Sequence, residues 1–164
     1  LAMVRKATIS TLRVCGMIIW IGIGATALVG VYNLMGGIDF VRDMVFAVSG
    51  GHGLTTILFM MLILLILGMF LDWVGVALLT MPIFVPIVTE LGYSPIWFGV
   101  VFCMNMQVSF LSPPFGPAAF YLKTVTPKDI SLGEIFRALL PFIALQVVAL
   151  GLLIVFPQLA LWWQ

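Results

Sequence analysis

Uncharged apolar runs of membrane-spanning length are the feature that most limits what this chain can fold into. Residues 14–35 form 22 successive positions without a charged side chain, and residues 54–71 and 138–156 form runs of 18 and 19. At a rise of about 1.5 Å per residue, a helix of about 20 residues crosses the roughly 30 Å hydrocarbon core of a bilayer. The sequence therefore predicts an all-α integral membrane protein.

The composition agrees with a chain that is surrounded by lipid. Hydrophobic residues make up 63% of the sequence and charged residues 8%, whereas a soluble domain carries about 25% charged residues. The net charge is +1 without a large Lys and Arg cluster, so nucleic acid is not an expected partner. Cys15 and Cys103 lie inside apolar runs, where a disulfide is not expected. Because the sequence opens at Leu1 without a cleavable signal, we expect a fragment or a mature subunit cut from a longer chain.

The first third of the chain combines a basic start, one spanning run and a glycine-rich polar segment. Residues 1–13 are predicted to be a cytoplasmic basic segment and residues 14–35 a transmembrane helix. Residues 36–53 contain two glycine pairs, so we expect an outer interfacial segment with a short amphipathic helix over residues 39–48. The lone histidine, His52, is more typical of a solvated turn residue than of a ligand.

Residues 54–89 hold two apolar runs that are joined without a polar loop. The first run ends at residue 71 and the second begins at residue 74, with Asp72 as the only acidic side chain. A link between two full crossings normally lies in water or among headgroups, so this pattern favours a re-entrant helical hairpin whose tip stays inside the protein. Two full crossings would return the chain to the same side and are the alternative.

A double proline interrupts the next apolar helix. The segment 96–124 starts with a 16-residue apolar run, residues 96–111. This run is followed by Ser112-Pro113-Pro114-Phe115-Gly116-Pro117. Successive prolines remove two backbone donors and clash with the preceding turn, so the helix must break there. The two halves reach spanning length only if the break lies at mid-membrane, which predicts a broken transmembrane helix.

A polar connection and a final span complete the chain. Residues 125–137 are predicted to be a cytoplasmic connection in which Ser131 and Glu134 form a capping box, and residues 138–160 a transmembrane helix. With one span, one hairpin, one broken span and a final span, six of the seven basic residues fall on one side. The positive-inside rule makes that side cytoplasmic, which puts the amino terminus there and lets the hairpin enter from the outer face.

Two groups of polar residues lie where chemistry is possible, and neither matches an enzyme motif, so we predict no enzyme. Asp72 is costly to place in lipid and either caps the second hairpin helix or contributes to an ion site. Asn105, Ser109 and Ser112 share one helical face that leads into the break. They either hydrogen-bond between helices or, with carbonyls freed by the break, supply oxygen ligands for Na⁺. The break itself is either a structural kink or a place where a half-helix terminus favours an anionic solute.

The hairpin and the broken helix carry four motifs in a fixed order. They are Leu67-Gly-Met-Phe-Leu-Asp72, Leu79-Thr-Met-Pro-Ile-Phe-Val-Pro-Ile-Val88, Leu91-Gly-Tyr-Ser-Pro-Ile-Trp-Phe-Gly99 and Leu111-Ser-Pro-Pro-Phe-Gly116. This combination resembles the carboxy-terminal half of the large membrane subunit of tripartite ATP-independent periplasmic (TRAP) transporters. The resemblance implies one half of an inverted-repeat elevator transporter in a bacterial inner membrane.

The same resemblance implies a coupling ion, a solute class and partners. The family couples Na⁺ entry to the uptake of organic acids, carboxylates or sulfonates, which a soluble periplasmic substrate-binding protein delivers. The expected partners are that binding protein, a small four-helix membrane subunit, the amino-terminal half of the large subunit, and lipid.

By motif position, the resemblance places a Na⁺ site at the hairpin tip and the helix break. The residues of this region are Gly68, Asp72, Ser109, Ser112, Pro113 and Gly116. We expect the solute to contact Asn105, Ser112 and Pro114.

Two other functions fit the sequence. A divalent-anion/Na⁺ symporter without a binding protein would share the architecture, and co-purification of a periplasmic protein would distinguish the two. A structural membrane subunit with no site of its own would use the whole polar face of Asn105, Ser109 and Ser112 in contacts between helices.

Overall fold

Helices account for all regular structure in the described residues of the computed structural model, which are 2–50, 52–114, 116–127 and 129–162. In chain order they are α1 (Ala2–Leu34), α2 (Gly37–Ser49), α3 (Gly53–Phe70), α4 (Trp73–Glu90), α5 (Pro95–Leu111), α6 (Pro117–Val125), α7 (Leu132–Val155) and α8 (Gln158–Leu161). By length and composition, α1, α3, α4 and α7 are able to cross a membrane. The all-α membrane class predicted from the sequence is confirmed.

The first helix is longer than its apolar run. α1 continues without interruption through residue 13, because no proline or glycine pair separates the basic start from the span. It ends before Gly36, whose φ of 74° makes a left-handed turn into α2. α2 contains the short helix expected over residues 39–48 and extends it at both ends.

A hairpin is formed by α3 and α4, which are joined by the two extended residues Leu71 and Asp72. The start of α3 and the end of α4 both contact α2. There the Ser49 and Thr56 hydroxyl oxygens lie 2.7 Å apart, and Arg42 forms an ion pair with Glu90. The chain therefore folds back on itself at the tip. Each arm has 18 residues, about 27 Å, which is close to the thickness of the hydrocarbon core.

The core lies where α5 packs between the hairpin and α7. Its largest fully buried side chains include Trp97 and Phe98 of α5, Met60 and Leu64 of α3, and Ile87 of α4. The same Trp97 donates its indole N–H to the carbonyl of Leu153 at 2.8 Å and stacks on Tyr93 with a ring-centroid distance of 5.1 Å. α5 therefore packs against the hairpin on one side and is hydrogen-bonded to α7 on the other.

The helix break and the capping box both occur where the sequence predicts them. α5 ends at Leu111 and α6 begins at Pro117. Glu134 donates its backbone N–H to the Ser131 hydroxyl at 3.3 Å, and Ser131 donates its own N–H to the Glu134 carboxylate at 2.6 Å. This box starts α7 at Leu132, six residues before the predicted span at residue 138.

Candidate functional site

Gly68 brings the hairpin against the broken helix. It lies near the end of α3, and a side chain added there would place its Cβ 2.8 Å from Cβ and 2.9 Å from Oγ of Ser109 on α5. Such distances are too short for any residue with a Cβ, so only glycine allows this approach. Two residues of the predicted Na⁺ region, one from each element, are therefore in direct contact.

The polar face of α5 is buried and well ordered by hydrogen bonds. Asn105, Ser109 and Ser112 are 1%, 0% and 6% exposed. The Ser109 hydroxyl donates to the carbonyl of Asn105 at 3.0 Å, and the Ser112 hydroxyl donates to its own helix at 2.6 Å, to the carbonyl of Val108. Each hydroxyl uses its hydrogen in this way while its oxygen keeps lone-pair capacity, so both oxygens are able to ligate a cation.

Asn105 makes a hydrogen bond between helices, which the sequence predicted for the polar face as a whole and not for this residue in particular. Its amide Nδ2 donates to the carbonyl of Met61 on α3 at 3.0 Å and so ties the broken helix to the first hairpin arm. The contact with solute expected for this residue stays a prediction. As placed here, its side chain holds two helices together in the interior.

The break itself gathers backbone oxygens around a glycine. Gly116 donates its N–H to the carbonyl of Ser112 at 2.9 Å. A Cβ at Gly116 would lie 2.8 Å from the carbonyl oxygen of Leu111 and 2.9 Å from that of Ser112. The two carbonyls thus converge on a position that a side chain would fill. Pro113 and Pro114 complete the break and are exposed.

Asp72 caps α4 at the hairpin tip. Its carboxylate accepts the backbone N–H of Val74 at 3.1 Å, which is the simpler of its two predicted roles. The side chain is exposed and is not buried with the two serines. A role as an ion ligand stays a prediction.

An apolar pocket lies beside the tip and the break, and the sequence did not predict it. Its volume is about 480 Å³, and its lining runs from Trp73 at the tip to Phe110 and Leu111 at the end of α5. None of the predicted site residues lines it. Gln107 and Gln146 are its amide-bearing residues, and the Gln146 Oε1 atom is buried without a hydrogen-bond partner in the described chain. A single glutamine in the apolar run 138–156 was the signal for this pocket.

The other titratable and thiol groups do not assemble into a metal centre. Among residues 2–50, 52–114, 116–127 and 129–162, no three His, Cys, Asp or Glu side chains lie together in a way that could hold a metal ion. Cys15 and Cys103 are free, and His52 is exposed at the start of α3. The oxygen atoms at the tip and the break belong to the carboxylate of Asp72, the hydroxyls of the two serines and backbone carbonyls.

Comparison of the sequence with known proteins shows the family to which the chain belongs. A family model described as "Tripartite ATP-independent periplasmic transporter, DctM component" matches residues 1–159. Similar proteins include the sialic acid TRAP transporter permease SiaT of Haemophilus influenzae, 33% identical over 115 residues, and the sialic acid large permease SiaM of Vibrio cholerae, 33% identical over 116. The C4-dicarboxylate large permease DctM of Pseudomonas aeruginosa is 35% identical over 100 residues.

The matches cover most of this chain but a small part of each relative. They include 70%, 71% and 61% of the chain and 18%, 27% and 23% of the three relatives in the same order. No solved structure matches the chain at a significant level. Because the family model extends over nearly the whole sequence, the chain belongs to the DctM-component family, the large permease proteins of TRAP transporters.

Proposed function

We propose that this chain is part of a Na⁺-coupled secondary transporter that imports an organic acid, a carboxylate or a sulfonate, delivered by a periplasmic binding protein. The observation that carries the proposal is the contact of Gly68 with Ser109, next to a helix break at which two carbonyls converge. The names of the relatives, which refer to sialic acid and C4-dicarboxylates, support the solute class. They also favour this function over a symporter that needs no binding protein.

In this proposal Na⁺ binds between the hairpin tip and the break. The hydroxyl oxygens of Ser109 and Ser112 and the carbonyl oxygens near Gly116 are hard ligands of the kind that discontinuous helices offer to Na⁺. Gly68 allows the approach, Pro113 keeps the backbone unwound, and Asp72 adds a negative charge at the tip.

The solute would bind on the other side of the same break. The amino-terminal end of α6 lies there, and its partial positive charge favours a carboxylate or sulfonate group. Pro114 and Ser112 precede this helix end and are the contacts we propose for the solute, with Asn105 supporting them from the turns before.

The hairpin would re-enter the membrane, and the whole unit would move as half of an inverted-repeat elevator. We propose an inner-membrane location with the amino terminus of this chain in the cytoplasm, because six of the seven basic residues then lie inside. The partners are the amino-terminal half of the large subunit, a small four-helix membrane subunit and the binding protein.

Uptake by the reconstituted complex tests the proposal. Transport should require both a Na⁺ gradient and the binding protein, and Ser112→Ala should raise the Na⁺ concentration for half-maximal uptake roughly tenfold or more. This follows because a polar contact with a charged group contributes about 1.5–3 kcal/mol. Ser94→Ala is the matched control, since the Ser94 hydroxyl makes no cap at the start of α5.

A purely structural subunit is the second candidate, and one observation favours it. Asn105, Ser109 and Ser112 each donate a side-chain hydrogen bond to a backbone carbonyl of their own helix or of a neighbouring helix. If this were the whole role of the polar face, Ser112→Ala would lower stability without changing the Na⁺ dependence of uptake. A normal Na⁺ dependence in a well-folded variant would contradict the ion site.

A further inference from the structure

The first turns of α1 carry a basic groove that no other element covers in the described part of the chain. Arg5, Lys6, Ile9, Ser10 and Arg13 line it, its volume is about 440 Å³, and all five residues are exposed. At 3.6 residues per turn, these five positions fall within about 140° of the helix circumference. Three cationic side chains and one hydroxyl therefore share one face.

The described residues give the basic groups of this groove no ion-pair partner. α1 contains no acidic residue, and the first one in the sequence is Asp39. None of the three basic groups has a hydrogen bond or ion pair to another described residue. Arg42, in contrast, is paired with Glu90. The charge on the groove is therefore available for an anion from outside the chain.

The opposite face of the same turns carries no charge. It is lined by Val4, Ala7, Thr8, Thr11, Leu12 and Cys15, and its two threonine hydroxyls donate to backbone carbonyls of their own helix. The start of α1 is therefore amphipathic: one face suits phosphates and the other suits the boundary with acyl chains.

The length of α1 places this groove at the membrane surface. The helix has 33 residues, about 50 Å, and is continuous with the 22-residue apolar run. A hydrocarbon core of roughly 30 Å leaves its first turns at the level of the headgroups. An anion that is concentrated at that depth is a phospholipid phosphate.

We propose that the groove of Arg5, Lys6, Ser10 and Arg13 binds the headgroup of an anionic phospholipid. The guanidinium groups match phosphate oxygens in pairs, Lys6 adds a point charge, and the Ser10 hydroxyl donates a hydrogen bond. Ile9 lies between them and packs against the glycerol region of the lipid. This proposal requires only that α1 spans the membrane and is independent of Na⁺ coupling.

Lipid titration of the purified, assembled complex tests this proposal. Phosphatidylglycerol or phosphatidylcholine is added in detergent, and bound lipid is counted by native mass spectrometry. The triple variant Arg5→Gln, Lys6→Gln, Arg13→Gln should lose phosphatidylglycerol affinity by roughly fivefold for each charge removed, about a hundredfold in total. Phosphatidylcholine, whose trimethylammonium group balances its phosphate, should bind the unmodified complex more weakly and lose less affinity in the variant. The control Lys128→Gln with Arg137→Gln removes charge elsewhere and should keep the affinity.

Two further measurements test the proposal even if the triple variant inserts poorly into the membrane. Arg5→Lys with Arg13→Lys keeps the charge and should bind within a few-fold of the unmodified complex, and raising the salt from about 0.05 M to about 0.5 M should weaken that binding. Unchanged phosphatidylglycerol affinity in the triple variant overturns the proposal, as does salt-independent binding. Loss of a protein subunit from the triple variant with lipid affinity unchanged would also overturn it, because the face would then dock a protein.

Discussion

At the scale of single residues, a close approach between the hairpin and the broken helix depends on the absence of a side chain at Gly68. Gly68 is buried, and a Cβ added to it would lie closest to the Cβ and Oγ of Ser109 and the terminal methyl of Met106. Small residues at such positions let membrane helices pack closely where the hydrophobic effect does not drive association. The same contact positions the Ser109 hydroxyl next to the tip.

Replacing Gly68 by alanine should separate the two elements. The added Cβ would lie 2.8 Å from Ser109 Cβ, which has no rotamer freedom to move away, so we expect a loss of about 1–3 kcal/mol in unfolding free energy. Na⁺-dependent uptake should fall with it. Thermal unfolding of the detergent-solubilised complex and uptake in vesicles measure the two effects.

Two variants make the Gly68 test specific. Gly24→Ala adds a methyl group in α1 where no atom beyond its chain neighbours and the local helix backbone lies within 4 Å, and should leave stability equal or slightly higher. Gly68→Ala combined with Ser109→Gly removes the clash and should recover stability but not Na⁺ affinity. An unaltered melting temperature in Gly68→Ala alone would mean that the contact is looser than described.

The shared polar face of α5 was predictable from residue spacing, whereas its contacts with other helices were not. The shared face of Asn105, Ser109 and Ser112 follows from helical periodicity, and the structure buries all three. The partner of Asn105, the carbonyl of Met61, is 44 residues away, and no local pattern indicates such a pair. Gln146 was not predicted as a site residue, because no other polar residue in its apolar run lies at helical spacing from it.

At the scale of elements, two short interruptions define the fold. Leu71 and Asp72 separate the hairpin arms, and residues 112–116 separate α5 from α6. Both interruptions leave helix ends that need polar partners, because in an apolar medium unpaired backbone groups are costly. Asp72 supplies one such partner by accepting the N–H of Val74.

Changing Asp72 should separate its capping role from its charge. Asp72→Ala removes the acceptor at the start of α4 and should cost about 1 kcal/mol of stability, whereas Asp72→Asn keeps a capping oxygen and should stay within a few tenths. Thermal unfolding of the complex gives the comparison. Equal losses in the two variants would show that the charge, rather than the cap, stabilises the tip.

Helix positions were predictable from apolarity inside the spans and less so at their ends. The run 96–111 predicted α5 to within one residue, since Pro95 and Ser112 delimit it chemically. α1 and α7 both begin well before their apolar runs. Helical hydrogen bonding does not stop at the edge of the hydrocarbon core, so hydropathy alone marks the span and not the helix.

At the scale of the whole molecule, the outer helices depend on what surrounds them. α7 exposes Leu145 at 67% and Val155 at 66%, and α1 exposes Ile19 at 63%. Such surfaces are stable next to acyl chains or other apolar helices and not in water. Together with a match to 18–27% of the length of three relatives, they fit a unit that works inside a larger membrane assembly.

The position of the hairpin tip in the membrane is the most direct measurement. A density map of the assembled complex in lipid nanodiscs with Na⁺ should show the hairpin tip, Leu71 and Asp72, near mid-membrane and opposite residues 112–116. It should also show ion density beside the hydroxyl oxygens of Ser109 and Ser112. Arms of α3 and α4 that reach opposite surfaces, with the tip among headgroups or in solvent, would contradict both the re-entrant hairpin and the ion site built on it.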